Sequence, residues 1–457
     1  MNMARSWLLG TRARQILWAL LVAEAAILVV VNHPWMGGDS HNYLALGEEL
    51  LNGRYGQIRD GAFVPETQHP PLYPLVLMGL VGLGTLPLVV VVSAQALMFL
   101  GSVYLVERLI LRYSMQRAAR LFLLVVLLCP ATLAHSTMVM AEALSVLLLA
   151  AIGYLAGAPG QFTRRRLSAV ALLSGLSVLS RPTLVALPVF LALAVALLLK
   201  AGASWRKVLA HEITFTAIVL VVVSPYALVN YRQLGRPTIL PPGAALGYSI
   251  YASTWSLDGR VSSITDQSAF RADSDRINAG TQASTSGSSN ANAAPGTQQA
   301  QETVQTSQAF LKEALSRVQR DPVPYAGHVV YNWWRLWNAA DYPPFVPAGG
   351  RLLLVSVAGA VWALGMAGSG LLIWRRLRSG RATEHRLVIV AVLTLYFPLA
   401  LAWLEGTARY AAPGQLFLHA AAGIAAAELW RLAAARYPWR PRRLRTPAVP
   451  TGSLTSG

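Results

Sequence analysis

Ionisable side chains are scarce in this chain, so those that interrupt apolar sequence are where chemistry is to be sought. Asp39 sits in Gly37-Gly38-Asp39-Ser40-His41-Asn42-Tyr43, directly after the first apolar run. Glu142 follows His135-Ser136-Thr137-Met138-Val139-Met140-Ala141 and heads another apolar run. A carboxylate at a membrane edge can take a proton from a hydroxyl. An ionisable residue within an apolar span is a functional candidate by default. Each acid also has a plainer reading. Asp39 or Ser40 could cap the helix that follows, and Glu142 could be the structural partner of an Arg or His.

The cations are as few. Arg181 stands between Ser174-Gly175-Leu176-Ser177-Val178-Leu179-Ser180 and Pro182. Arg409-Tyr410 opens the last apolar run, after Glu405. His69 begins His69-Pro70-Pro71-Leu72-Tyr73-Pro74. A guanidinium can hold the charge that develops on phosphate oxygens. A buried Arg181 needs an anion, and either Glu142 or a substrate phosphate would serve. The plain alternative for Arg409 is a pair with Glu405 at helical spacing. For His69 it is that Pro70-Pro71 simply ends an extended segment and starts a helix. His33, His41, His69 and His135 could gather near Asp39 around a divalent metal. Their spacing has no helix-borne ligand pattern, and metal stays the less favoured reading. There is no Gly-rich phosphate loop and no nucleic-acid motif.

These residues must be positioned by a membrane protein. Of 457 residues, 54% are hydrophobic and 13% charged, and the mean hydropathy is +0.46. That composition excludes an ordinary soluble domain. The net charge of +18 falls in short Arg-rich runs between apolar segments. Such placement marks cytoplasmic loops and not a nucleic-acid surface. Cys129 is the single cysteine, which excludes an intrachain disulfide and a cysteine-based metal site.

About ten spans satisfy the length and hydropathy rules, at 15–31, 87–111, 121–134, 137–157, 167–180, 183–199, 208–229, 352–374, 387–404 and 410–432. With Asp39 outside, the Arg clusters all fall on the other side, and both termini are cytoplasmic. Residues 72–83 read as a helix that dips without crossing. The organisation is a transmembrane catalytic module over 1–229 with a first outer loop at 35–71. A long outer loop follows at 230–349, then C-terminal spans at 350–434 and a basic tail at 435–457. The first loop carries an amphipathic helix with Tyr43, Leu44, Leu46, Leu50 and Leu51 at helical spacing, ended by Asn52-Gly53. Within the second loop, 281–300 is low-complexity and is expected to be disordered. Residues 310–318 read as a modest helix, and the Trp- and Tyr-rich stretch from 331 to 342 reads as an interfacial helix.

Together, the acid after the first span, the His-Pro-Pro-Leu-Tyr segment, Glu142-Ala143-Leu144, Arg181-Pro182 and Arg409-Tyr410 carry a resemblance. They resemble the GT-C class of polyprenol-phosphate-sugar-dependent membrane glycosyltransferases, in the branch of the protein mannosyltransferases and aminoarabinose transferases. The resemblance implies an all-α polytopic fold and inverting transfer from a polyprenyl-phosphate sugar on the extracytoplasmic face of a bacterial plasma membrane. It implies Asp39 as the base, with Glu142 orienting a partner or the acceptor. His69, Arg181 and Arg409 would meet the donor phosphate, with Tyr43, Tyr73 and Tyr410 as further substrate contacts. The acceptor would be a hydroxyl of a glycan, a lipid or a protein. The rival readings are a lipid or solute transporter that uses Glu142 and Arg181, and a non-catalytic assembly subunit. Polar candidates gathered at one membrane face favour an enzyme over alternating access.

Overall fold

The structure is a computed structural model that describes residues 11–59, 61–81, 87–160, 162–200, 204–235, 237–239, 246–255, 267–286, 295–338, 348–378, 384–403 and 411–436. In hydrocarbon every backbone N–H and C=O must be satisfied by the protein, and a helix does this within one segment, so apolar runs of this length become helices. In chain order they are α1 (Thr11–Val31), α2 (Ser40–Leu51), α3 (Leu72–Val81), α4 (Leu88–Leu111), α5 (Gln116–Leu128), α6 (Ala131–Ser136), α7 (Glu142–Gly157), α8 (Arg164–Ser180), α9 (Leu187–Lys200) and α10 (Trp205–Leu234). The second half adds α11 (Leu246–Trp255), α12 (Gln267–Ser286), α13 (Pro295–Arg320), α14 (Pro322–Asn338), α15 (Ala348–Arg378), α16 (Val388–Leu401) and α17 (Gln415–Arg436). The chain is a multi-pass helical membrane protein.

Among the described residues five helices are long and apolar enough to cross a membrane: Thr11–Val31, Leu88–Leu111, Trp205–Leu234, Ser356–Arg375 and Ala412–Arg436. Glu142–Gly157, Pro182–Ala196 and Val388–Leu401 are apolar but shorter. The other two expected spans take different forms. The run expected at 121–134 is split, because α5 stops before Cys129-Pro130 and α6 restarts at Ala131; Pro130 has no N–H to continue the ladder. The run at 167–180 begins earlier, at Arg164, where the Thr163 side chain accepts from the Arg166 amide at 3.3 Å and caps the helix.

Small residues set how closely the helices meet. Gly423 of α17 faces backbone of α5, and a Cβ there would lie 2.8 Å from the Phe122 amide nitrogen and 2.9 Å from the Ala118 carbonyl oxygen. Close backbone approach of this kind replaces the hydrophobic driving force that lipid removes. Val30, Leu97, Ile213 and Val221 remain exposed on the rim, as expected of side chains that face acyl chains. Polar ties are few. Buried Glu107 of α4 accepts from Arg14 Nε at 2.7 Å and from Trp18 Nε1 at 3.1 Å, which locks α1 to α4.

The first loop follows its sequence reading and adds one element. Helix α2 ends at Asn52, and Gly53 takes a positive φ of 71°, a conformation glycine adopts without steric cost. A two-stranded antiparallel hairpin comes next, β1 (Gly56–Arg59) and β2 (Ala62–Pro65), with Gly56 opposite Pro65 and Arg59 opposite Ala62. Helix α3 is ten residues long, too short to cross, as expected.

The second loop is more ordered than its composition suggests. Residues 281–286 close α12 and 295–300 open α13; 287–294 lie outside the described residues. Ala300, Val304, Phe310 and Ala314 are buried along α13, so a helical apolar stripe is present within the polar sequence. Val64, Leu234 and Ala300 form one cluster that joins the first-loop hairpin to the second loop. The Trp-rich stretch belongs to α14, where Tyr325 Oη donates to the Trp403 carbonyl at 2.7 Å and Asn332 Nδ2 to the Ala402 carbonyl at 3.2 Å.

Candidate active site

Asp39 stands at the head of α2, and its side chain makes no capping hydrogen bond. The capping reading therefore does not account for it. What fixes its position is a clasp between two chain segments. Ser40 Oγ donates to the Val139 carbonyl at 2.8 Å and accepts from the Gly37 amide at 2.7 Å. The Val139 amide donates to the Trp35 carbonyl at 2.9 Å. One turn earlier, Asn32 Nδ2 donates to the Ala134 carbonyl at 3.1 Å and to Thr137 Oγ1 at 2.6 Å. Gly37 lies so close to Met140 that a Cβ would strike its sulfur. The segment that carries Asp39 is thus sewn to the segment that leads into Glu142.

Glu142 begins α7 and is fully buried. Arg181 Nη1 lies 2.9 Å from Glu142 Oε1, and Arg181 is itself 5% exposed. Of the two anions open to Arg181 from the sequence, the structure provides Glu142. Desolvating two charges is costly, and mutual attraction offsets that cost only at contact distance. Arg181 also ends α8 in an extended conformation, as a residue before proline must.

His69 has an acidic partner in the first loop, Glu66. Glu66 accepts from the amides of Gln68 and His69 at 2.5 and 2.9 Å and faces His69 Nδ1 at 3.2 Å. Burial pulls the Glu66 carboxyl upward, but the His69 ring and the two amides outweigh it, and the net shift is below the usual carboxylate value. A carboxylate can only accept, so the His69 proton sits on Nδ1. Tyr55 Oη donates to the His69 carbonyl at 2.6 Å, and burial holds its phenol well above the ordinary range. Sequence reasoning missed Glu66. The available signal was an acid three residues ahead of the histidine in Pro65-Glu66-Thr67-Gln68-His69.

Tyr43 and Tyr73 are buried in one aromatic cluster. Tyr43 meets the His69 ring edge-on at 4.9 Å and the Tyr73 ring at 4.8 Å. Tyr73 Oη donates to Gln95 Oε1 at 3.2 Å, and Gln95 Nε2 donates to the carbonyls of Met138 and Met140 at 2.9 and 2.8 Å. Both tyrosines pack the loop against α4 and the Glu142 segment. Gln95 was also missed, although a lone amide in an apolar helix is a recognisable signal. Arg409, Tyr410 and Glu405 lie outside the described residues. Among the described residues no three His, Cys, Asp or Glu side chains gather in a metal-binding arrangement.

No protein-family model and no curated protein matches the chain. Solved structures do. The archaeal oligosaccharyltransferase AglB from Archaeoglobus fulgidus, in complex with an inhibitory peptide and a dolichol-phosphate, aligns at a TM-score of 0.50 and 17% identity, over 95% of this chain and 53% of that one. ArnT from Cupriavidus metallidurans bound to undecaprenyl phosphate aligns at 0.40 and 18% identity, over 91% of this chain and 78% of that one. The fold is the GT-C fold of membrane glycosyltransferases. The chain spans about half the length of the oligosaccharyltransferase it matches.

Proposed function

We propose that this protein is an inverting glycosyltransferase. It moves a sugar from a polyprenyl-phosphate donor to a hydroxyl acceptor on the extracytoplasmic face. The observation that carries the reading is Asp39, presented at the head of α2 and clasped to the segment entering the Glu142–Arg181 pair, on a GT-C fold. Dolichol-phosphate and peptide in the AglB complex support a lipid-phosphate donor and an acceptor that approaches from outside the bilayer.

In this reading Asp39 takes the proton of the acceptor hydroxyl. The freed oxygen attacks the anomeric carbon in line with the departing phosphate. The carbon–oxygen bond to phosphate breaks, and its electron pair leaves on the phosphate oxygen. We assign the departing charge to Arg409, with Arg181 held in place by Glu142. Glu142 and Arg181 then act as a positioning pair beneath the Asp39 segment. His69 holds the first loop through Glu66, and Tyr43 and Tyr73 hold it through packing.

The test is sugar release from a panel of polyprenyl-phosphate sugars by purified wild type and Asp39→Asn in detergent, with and without chelator. The expected result is turnover on one donor that falls by about 10²–10⁴ in the variant, the usual range for loss of a general base. Full turnover in a folded Asp39→Asn protein would remove Asp39 from the chemistry. Wild type inert on every donor, with the lipids still bound, would turn the reading toward carriage or assembly.

A further inference from the structure

At the end of the bundle opposite Asp39 lies a cavity of about 530 Å³, lined by Tyr113, Met115, Leu372, Trp374, Arg375 and Arg378, with Leu387 of the next element. Its position follows from α7. Glu142 begins that helix beside the Asp39 clasp, and Tyr113 Oη donates at 2.7 Å to the carbonyl of Gly157, where the helix ends.

The lining has two chemistries in one space. Met115, Leu372 and Leu387 make an apolar wall. Arg378 lies 4.8 Å from the centre of the Trp374 ring, a stacking arrangement that leaves the guanidinium edge available to an oxyanion. Arg375 reaches Glu428 at 3.0 Å, and the same carboxylate oxygen also receives Arg431 at 2.7 Å. One carboxylate thus serves two guanidiniums, with Arg378 beside them, and the local balance is positive. More cations crowd this end, since Arg166 and Arg386 both donate to the Ala158 carbonyl, at 2.8 and 3.1 Å. Trp374 is 49% exposed and Leu377 is 81% exposed. An amphipathic ring and a bare aliphatic side chain next to arginine mark headgroup depth in a bilayer.

We propose that this cavity binds the headgroup of an anionic phospholipid from the leaflet on the arginine-rich side. A phosphate diester with net negative charge would take the Arg378 and Arg375 guanidiniums, and the acyl chains would leave past Trp374 and Leu377. The shared chemistry is a phosphate oxyanion. A free phosphate would use the arginines, but it has nothing to lay against the apolar wall. Cavities of roughly 300–1,000 Å³ suit a larger amphiphile, and basic pockets between spans on the cytoplasmic side are known to take anionic headgroups.

The experiment is native mass spectrometry of the full chain in detergent micelles, titrated with dioleoylphosphatidylglycerol, dioleoylphosphatidylcholine or inorganic phosphate. Wild type, Arg378→Gln, Trp374→Ala and the control Arg165→Gln, at an exposed position of α8 outside the cavity, are compared, after thermal unfolding without added lipid has shown that all four are folded. The expected result is retention of phosphatidylglycerol over phosphatidylcholine by wild type and the control. Retention should be weaker by about tenfold or more in Arg378→Gln and Trp374→Ala. Equal retention of the two lipids would overturn the proposal. So would an unchanged affinity in both cavity variants, or an equal loss in Arg165→Gln, which would mean diffuse surface charge. Binding of inorganic phosphate as tight as that of the lipid would make the site one for a free anion and overturn the lipid assignment.

Discussion

Two buried acids in this protein do different work, and the difference lies in what each faces. Glu142 faces a guanidinium with almost no water around either group. Removing one partner of such a pair leaves an uncompensated buried charge, at a cost of about 3–5 kcal/mol, whereas replacing both with apolar groups is often close to neutral. Arg181→Met alone should therefore lower detergent-solubilised stability by that order, and Glu142→Leu combined with Arg181→Met should restore much of it. Activity assayed beside melting separates packing from chemistry. A double variant that is stable and active would confine the pair to structure, and one that is stable and inactive would place it in positioning for the reaction. Glu66 faces a histidine and two amides, and its carboxyl is held below the ordinary value. A group with a lowered folded-state pKa contributes stability above its unfolded pKa and loses that contribution as pH falls through the folded value. Wild type should exceed Glu66→Gln by on the order of 1–2 kcal/mol at neutral pH. The gap should narrow as pH falls below the ordinary carboxylate range and the folded carboxyl takes up its proton. A gap that persists unchanged in acid would show that charge at Glu66 is not the cause.

At the scale of elements, the bundle depends on a few positions where a side chain will not fit. Gly423 is the clearest, because its neighbours are backbone atoms of α5 and not the movable end of a side chain. Gly423→Val must push α5 and α17 apart, at a cost of about 1–3 kcal/mol for overpacking. Gly37 offers the contrast. A Cβ there would meet the sulfur of Met140, a flexible group that can swing away. Gly37→Ala should therefore change melting far less than Gly423→Val; the reverse order would mean that the Asp39 clasp, and not the α5–α17 contact, limits stability.

For the whole molecule, the two ends of the bundle differ in charge. The Asp39 end carries hydrogen-bonded loops that fold over one another, with the hairpin against the second loop at Val64 and Ala300. The opposite end carries the arginines and the cavity. The positive-inside rule predicts that the arginine end lies in the cytoplasm. Substitution of buried Cys129 leaves a cysteine-free background. In that background His41→Cys, at an exposed position of α2, should be labelled in intact cells by a membrane-impermeant maleimide. Arg378→Cys should react only after the cells are opened. The reverse pattern would invert the topology and move the candidate site to the cytoplasmic face.

Much of this was legible in the sequence, for physical reasons that can be named. Continuous apolar runs of about twenty residues become helices in lipid, because a helix satisfies its backbone within one segment, so α1, α4 and α10 lie close to where hydropathy places them. The first-loop helix and its stop at Asn52-Gly53 were legible because amphipathic spacing and a glycine turn are local signals. Pro130 was a legible break, but the reading of 121–134 as one short span passed over it. The helix through 295–300 was hidden because alanine and glutamine look featureless until Ala300 and Val304 find a surface to pack on. Tertiary structure alone decided the partnerships. Arg181 could answer Glu142, and the fold places the two in contact; the acid it sets beside His69 is Glu66, which the sequence reading had not singled out. The clasp of Ser40 on Val139 joins residues 99 positions apart. Local propensity reads neighbours along the chain, and a contact of that range forms only once the helices between have crossed the membrane and returned.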